Sequence, residues 1–173
     1  MMLSGKTMRT QEAEVALANY LNIRQNLIVP NVHHGFGIHE CDLLVVTKAG
    51  RLWEIEIKVN KYDLRNDEKK PHQHKHEKIS RLYFAIPDYL QSEIDHIPER
   101  AGILIVNPKG KVNKFREATV IGKYKVTDQE RYQLARLGAL RIWNLKYTIN
   151  LLLQRSKSLT ENPIEYETIS GNL

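Results

Sequence analysis

The fold is decided by the stretch Cys41-Asp42-Leu43-Leu44-Val45-Val46-Thr47-Lys48-Ala49-Gly50-Arg51-Leu52-Trp53-Glu54-Ile55-Glu56-Ile57-Lys58-Val59. Cys41 to Val46 is a compact apolar run, Lys48 to Arg51 supplies a turn, and Leu52 to Val59 alternates between apolar and charged residues, which is a β-hairpin pattern. Successive side chains of a strand point to opposite faces, so Trp53, Ile55, Ile57 and Val59 share one face while Glu54, Glu56 and Lys58 share the other. A central strand would keep that charged face from bulk water, where stacked carboxylates without a partner cost several kcal/mol. A cation resolves the conflict. Asp42, at the head of the preceding strand, can pass beside Glu56. With backbone carbonyls nearby, that of Ile57 among them, and no thiolates, the result is an oxygen-rich site for Mg²⁺ or Mn²⁺, with zinc disfavoured there. Lys58 lies about 6.6–6.8 Å beyond Glu56 at strand rise, which sets an ammonium beside an ion. There it can orient or help deprotonate a water and neutralise a phosphate oxygen. The chemistry implied is phosphodiester hydrolysis. The competing reading is the solvated face of an amphipathic hairpin, held by weak cross-strand ion pairs.

Working outward, Thr10 to Asn22 has helical spacing, and Glu14 shares a face with Leu17, Ala18 and Leu21, so its carboxylate points towards the sheet. Leu27 to Val32 reads as a strand, broken by His33-His34-Gly35-Phe36-Gly37. After Val59 the pattern predicts a short helix from Lys61, a polar basic loop, a strand over Arg81–Ile86, a short helix over Asp88–Asp95 and a fully apolar strand over Gly102–Val106. Lys109 to Lys125 reads as irregular or a weak hairpin. Thr127-Asp128-Gln129-Glu130 is a capping box opening a long helix whose apolar stripe is Leu134, Leu137, Ala139, Ile142, Leu145, Ile149 and Leu152. The organisation expected is a domain over 1–126, a C-terminal helix over 127–155 packed on it or extending from it, and a polar tail that frays over 156–173.

Composition narrows the class. The chain has 173 residues, 42% hydrophobic and 27% charged, with 26 Lys+Arg against 20 Asp+Glu and a net charge of +6. That is the profile of one soluble domain with a sizeable core and excludes a disordered chain. No stretch is long and apolar enough to span a bilayer, and Met1 to Thr10 is polar where a signal peptide needs an apolar region, so a cytoplasmic protein is expected. The single cysteine, Cys41, reads as a buried small apolar residue. A sequence pI near 9.4 favours a polyanionic partner.

At these residues the sequence resembles the PD-(D/E)xK nuclease superfamily and, within it, the MmcB-like DNA repair family. The resemblance rests on Cys41–Val46, on Trp53–Lys58 continuing through Val59-Asn60-Lys61-Tyr62-Asp63-Leu64-Arg65-Asn66-Asp67, on Arg81–Pro87 and on Glu99–Val106. It spans roughly residues 27 to 112. It implies a restriction-endonuclease-like α/β core of helix, three strands, helix and strand with a mixed central sheet. It further implies Asp42 and Glu56 as metal ligands, Lys58 as the catalytic lysine and Glu14 as the helix carboxylate of some members. Two departures stand out: no proline precedes Asp42, and Glu54 is an extra acid, suited to a second metal or to repelling a second phosphate. The function expected is a Mg²⁺-dependent nuclease on double-stranded or branched DNA, RNA not being excluded, in repair or recombination. The alternative is an inactive nucleic-acid-binding module of the same fold. A homodimer through the long helix is a further possible partnership.

Pro71-His72-Gln73-His74-Lys75-His76 looks like a metal tract, but a loop flanked by lysines favours phosphate or water contact over chelation. Together with Lys61, Lys69, Lys70, Lys75, Lys78 and Arg81, the histidines His72 and His74 read as a mobile basic segment that closes over nucleic acid. Lys109, Lys111, Lys114, Arg116, Lys123 and Lys125 are opposed only by Glu117 and form a second backbone-binding patch. Tyr62, Tyr124 and Tyr132 are candidates to stack on bases, with core packing the default. His33, His34 and His39 read as surface residues able to reach the site mouth. Asp63 and Asp67, one helical turn apart, read as capping or salt-bridge residues.

Overall fold

The computed structural model describes residues 7–33 and 36–161, the side chains of 158–161 excepted. The elements run α1 (Thr10–Tyr20), β1 (Leu27–Val32), β2 (Cys41–Val46), β3 (Leu52–Ile57), α2 (Lys61–Asp67), β4 (Ile79–Pro87), a 3₁₀ segment (Asp88–His96), β5 (Gly102–Val106), β6 (Val112–Arg116) and α3 (Asp128–Glu161). Six strands form one mixed sheet in sequential order. β1, β2 and β3 pair antiparallel, β3, β4 and β5 pair parallel, and β6 returns antiparallel to β5. Both parallel steps need a crossover, supplied by α2 and by the 3₁₀ segment. The weak hairpin read from 109–125 is thus the ordered edge strand β6.

The alternation of β3 sorts the core. Ile55 and Ile57 join Leu43, Val45, Ala85 and Leu104 beneath Ala13, Ala16 and Leu17 of α1. The opposite face carries two separate apolar clusters. One gathers Val29, Leu44, Val46 and Leu52 with Leu134 of α3, and the other gathers Leu82, Phe84, Ile86 and Ile103 with Leu64 of α2. Glu54 pairs in register with Leu44 on one side and Leu82 on the other, so the acidic seam of β3 runs between these clusters. At Gly102 a Cβ would stand 2.3 Å from the Tyr83 ring, so only glycine lets β5 and Tyr83 approach this closely.

The capping box forms as read: Glu130 N donates to Thr127 Oγ1 at 3.2 Å, and Thr127 N donates to Glu130 Oε2 at 2.9 Å. The chain divides into two compact units, Met1–Gly138 and Ala139–Leu173. The boundary falls inside α3 and not at residue 126, because Leu134 and Leu137 belong to the core of the first unit. In the second unit Ile142, Leu145, Ile149 and Leu152 of the expected stripe are exposed. The helix also runs on to Glu161, past the boundary expected at 155; the rest of the polar tail, and His34, lie outside the described residues.

Candidate functional site

β2 and β3 pair from Val46↔Leu52 as far as Leu43↔Ile55, and there the ladder ends. Beyond it the Ile57 amide donates to Asp42 Oδ2 at 2.7 Å, the carboxylate taking the place of a backbone carbonyl. Leu43 and Val45 pack on the α1 side, whereas Cys41 and Leu44 both pack on the other. The strand therefore loses its strict alternation around Asp42. Asp42 acts on both faces. It raises the Glu14 carboxyl, already pushed up by burial on α1, and it adds to burial in raising the Glu56 carboxyl against the pull of Lys58.

Glu54, Glu56 and Lys58 share a face as expected, and all are buried. Lys58 Nζ stands 3.1 Å from Glu56 Oε2 and 2.8 Å from Asp67 Oδ1, while Lys70 Nζ stands 3.1 and 2.9 Å from the same two oxygens. His74 completes the network, with Nε2 2.6 Å from Asp67 Oδ2 and Nδ1 2.6 Å from Glu54 Oε1. Glu54 Oε1 also meets His39 Nε2 at 2.8 Å. Carboxylates only accept, so His74 between two of them donates from both ring nitrogens and is an imidazolium. Burial alone would lower its pKa, but the bonds to Asp67 and Glu54 win and lift it to about 9. Burial likewise opposes the charge of Lys58, and Glu56 and Asp67 more than restore it, so the ammonium persists at neutral pH. Asp67 and Glu54 are drawn the other way: burial raises each, and their hydrogen bonds, to His74 and Lys58 for Asp67 and to His39 and His74 for Glu54, bring them below the usual carboxylate range.

Three carboxylates (Glu54, Glu56, Asp67) thus face three cations (Lys58, Lys70, His74) in the buried seam. Asp42 and Glu14 remain as additional negative groups, and Glu56 Oε1 and Glu54 Oε2 are buried without hydrogen-bond partners. Such a set of hard oxygen donors fits a divalent cation of the Mg²⁺ or Mn²⁺ kind. Asp42 belongs to neither of the two groups of three or more metal-ligating side chains that converge within 4.8 Å, which among the described residues are Glu54, Glu56 and His74, and His39, His72 and His74.

Several residues read as a solvated basic segment lie elsewhere. The segment after α2 is a loop, but His74 is only 2% exposed. Lys70 turns inward to the buried Glu56 and Asp67, and Lys78 is held by the partly buried Glu130 at 2.9 Å, because these carboxylates compete for the cations. His39 is partly buried, its ring turned in against Glu54. Lys61, Lys69, Lys75, Lys111 and Lys114 do face solvent, Lys114 beside Glu117. Tyr62 and Tyr132 are exposed, and Tyr124 is tied to Glu130. Asp67, which the sequence marks only as a capping or salt-bridge residue, is the salt-bridge centre of the seam, holding Lys58, Lys70 and His74. Its signal was its position three residues after Leu64 on α2, the two being the buried residues of that helix. Asp63 is exposed, and its amide is capped by Asn60.

Fold and seam together define a mixed α/β domain with a buried acid–base network where two sheet strands part. The chain belongs to the MmcB-like DNA repair protein family, whose model matches residues 6–148, and this points to a DNA-related role. No curated protein matches significantly. Among solved structures, the SPO1766 protein of unknown function from Silicibacter pomeroyi is similar in fold, with a TM-score of 0.59 and 20% identity over 86% of this chain and 94% of that one. Among the described residues no helix is long and apolar enough to cross a membrane.

Proposed function

We propose that this chain is a divalent-metal-dependent nuclease that hydrolyses phosphodiester bonds in DNA, on a restriction-endonuclease-like core. The observation that carries the reading is Glu56: a buried carboxylate whose Oε1 has no hydrogen-bond partner, only the His74 ring 3.9 Å away, raised by burial and by Asp42, and gripped on Oε2 by Lys58. Asp42 and Glu56, with the Ile57 carbonyl, would hold Mg²⁺ or Mn²⁺, and Glu14 would support it from α1. When bound, the ion supplies Lewis-acid polarisation of the scissile phosphate. Lys58, kept charged by Glu56 and Asp67, orients a water and neutralises a phosphate oxygen but does not act as a base at neutral pH. Asp67 positions Lys58. The exposed Lys61, Lys69, Lys75, Lys111 and Lys114 bind the backbone of double-stranded or branched DNA.

The charge balance of the seam favours a second reading, a nucleic-acid-binding module without hydrolysis, since Lys58 and Lys70 already neutralise Glu56 and Asp67 without an ion. Duplex, branched and single-stranded DNA and RNA, incubated with Mg²⁺, Mn²⁺ or chelator, separate the two. The nuclease reading expects metal-dependent cleavage that Lys58→Ala lowers by about 10²-fold or more. Salt-sensitive binding with no cleavage, unchanged in Asp42→Ala, establishes the module instead. The exposed apolar residues of the second unit support self-association, which sedimentation over a range of concentrations tests.

A further inference from the structure

The three histidines His39, His72 and His74 come from two loops 33 residues apart at their closest, yet their ligand nitrogens lie within 4.8 Å of one another. Rings that stack and cross at this range are an odd use of polar side chains. His39 lies over His72 with centroids 4.2 Å apart, and His74 stands edge-on to both, at 5.6 and 4.9 Å. The backbone is strained to achieve it. Gln73 and His74 both adopt left-handed conformations, with φ of 44° and 55°, without being glycine. Such conformations in bulky residues persist only where the surroundings impose them, and they concentrate at ligand clamps.

A carboxylate meets the cluster from below. Glu54, with no exposed surface, places Oε1 2.6 Å from His74 Nδ1 and 2.8 Å from His39 Nε2, and its Oε2 has no hydrogen-bond partner. The far nitrogen of His74 is anchored on Asp67, 2.6 Å away, which is the outer carboxylate that fixes the tautomer and direction of a metal-bound imidazole. His72 Nδ1 accepts the His74 amide at 3.0 Å, leaving its Nε2 as the free ligand atom.

We infer that His39, His72 and His74, with a Glu54 oxygen that already meets His39 and His74, form a closed four-coordinate site for Zn²⁺, which shares Glu54 and His74 with the group that holds Glu56 and does not include Asp42. Tetrahedral Zn²⁺ with bonds of about 2.0–2.1 Å needs ligand atoms about 3.3 Å apart, so the three histidine nitrogens, now within 4.8 Å of one another, draw closer on binding. On binding, the ion displaces the imidazole protons that now bridge His39 and His74 to Glu54, and these pass to solvent. Three imidazoles with one carboxylate favour Zn²⁺ over Mg²⁺, which prefers oxygen ligands and water. With every position filled by protein, the ion is structural. It clasps the loop after α2, and the Lys69, Lys70 and Lys75 it carries, to β3 and to the segment before β2. This inference stands whether or not the chain cleaves DNA.

The test uses the full chain, stripped with chelator and titrated with Zn²⁺ and with Co²⁺. Expected are one tightly held Zn²⁺ per chain in chelator competition and intense visible bands of four-coordinate Co²⁺. His72→Gln, a half-exposed loop position, and His39→Gln should each weaken Zn²⁺ by at least about tenfold, whereas Asp42→Asn should leave the affinity unchanged. Absence of stoichiometric Zn²⁺ binding by the wild type, a six-coordinate Co²⁺ spectrum, or binding that survives both histidine variants overturns the inference. The wild-type titration decides even if a variant fails to fold, which circular dichroism reports.

Discussion

His74 makes the metal-free chain less stable as the solution becomes alkaline, by an amount the geometry sets. The ordinary imidazole value of 6.5 rises to about 9 in the fold, where Asp67 and Glu54 outweigh the burial that would lower it. The native state therefore holds the proton more tightly than the unfolded chain. The stabilisation is fully present below about pH 6.5 and is lost as pH climbs through about 9. Across that interval the unfolding free energy falls by roughly 1.4 kcal/mol per pH unit, about 3 kcal/mol in all. The side chain is 2% exposed, so solvent screening takes little from this figure. Urea unfolding at closely spaced pH values, with chelator present, measures it. Glu14 and Glu56, both raised in the fold, add a loss of the same sign that begins above the unfolded carboxylate value, and the His74→Gln comparison removes them; two further groups also bear on the window. His72, lowered by burial and by His39 and His74, opposes the His74 loss slightly between about pH 6.5 and 7.5, where the unfolded imidazole sheds its last protons, and adds nothing above. Cys41, pushed up by burial, adds a loss of the same sign only once the unfolded thiol ionises, above about pH 8.5. The decisive window is thus about pH 6.5 to 8.5, worth about 2–3 kcal/mol. His74→Gln should abolish the His74 part of the slope while costing about 3–5 kcal/mol at the acid end, because Glu54 and Asp67 lose their shared cation. A flat wild-type profile, or an unchanged slope in the variant, refutes the reasoning.

Asp42→Ala should cost about 1–3 kcal/mol by orphaning the Ile57 amide, whereas Asp42→Asn, which keeps an accepting oxygen, should cost less than half as much in the same denaturation assay. Gly102→Ala should lower stability by about 1–3 kcal/mol or more, since its methyl would collide with the Tyr83 ring at 2.3 Å and the Ala118 amide at 2.8 Å; a thermal melt reads it directly. DNA affinity should fall steeply with salt, and neutralising Lys61, Lys111 or Lys114 should each reduce the log–log slope by about one, as a phosphate contact requires. A slope unaffected by all three would move the DNA surface elsewhere.

Period-two alternation was enough to place Glu54, Glu56 and Lys58 on one face, because strand geometry leaves no other arrangement. β2 and β5 are bounded as read, since short apolar runs between turn residues have few alternatives, and the Thr127–Glu130 capping box is a local contact closed within one turn. The weak hairpin at 109–125 was harder: β6 alternates poorly, exposes most of its side chains, and owes its pairing to β5. The stripe of α3 reads as a continuous core face, yet only its first turns, at Leu134 and Leu137, find a core. Periodicity marks a face without saying how far a neighbour extends along it.

From its own order of residues the chain settles that an acidic seam with one lysine lies along a buried strand, flanked by apolar runs. Only the tertiary structure decides what answers that acidity. Lys70, His74 and Asp67 arrive from α2 and the loop beyond it, and His39 arrives from the other side. A strand's alternation is fixed by bonds between adjacent residues. Which distant cation reaches a buried carboxylate depends on loop conformations, here the left-handed Gln73 and His74, that are stable only once the sheet and its seam already exist.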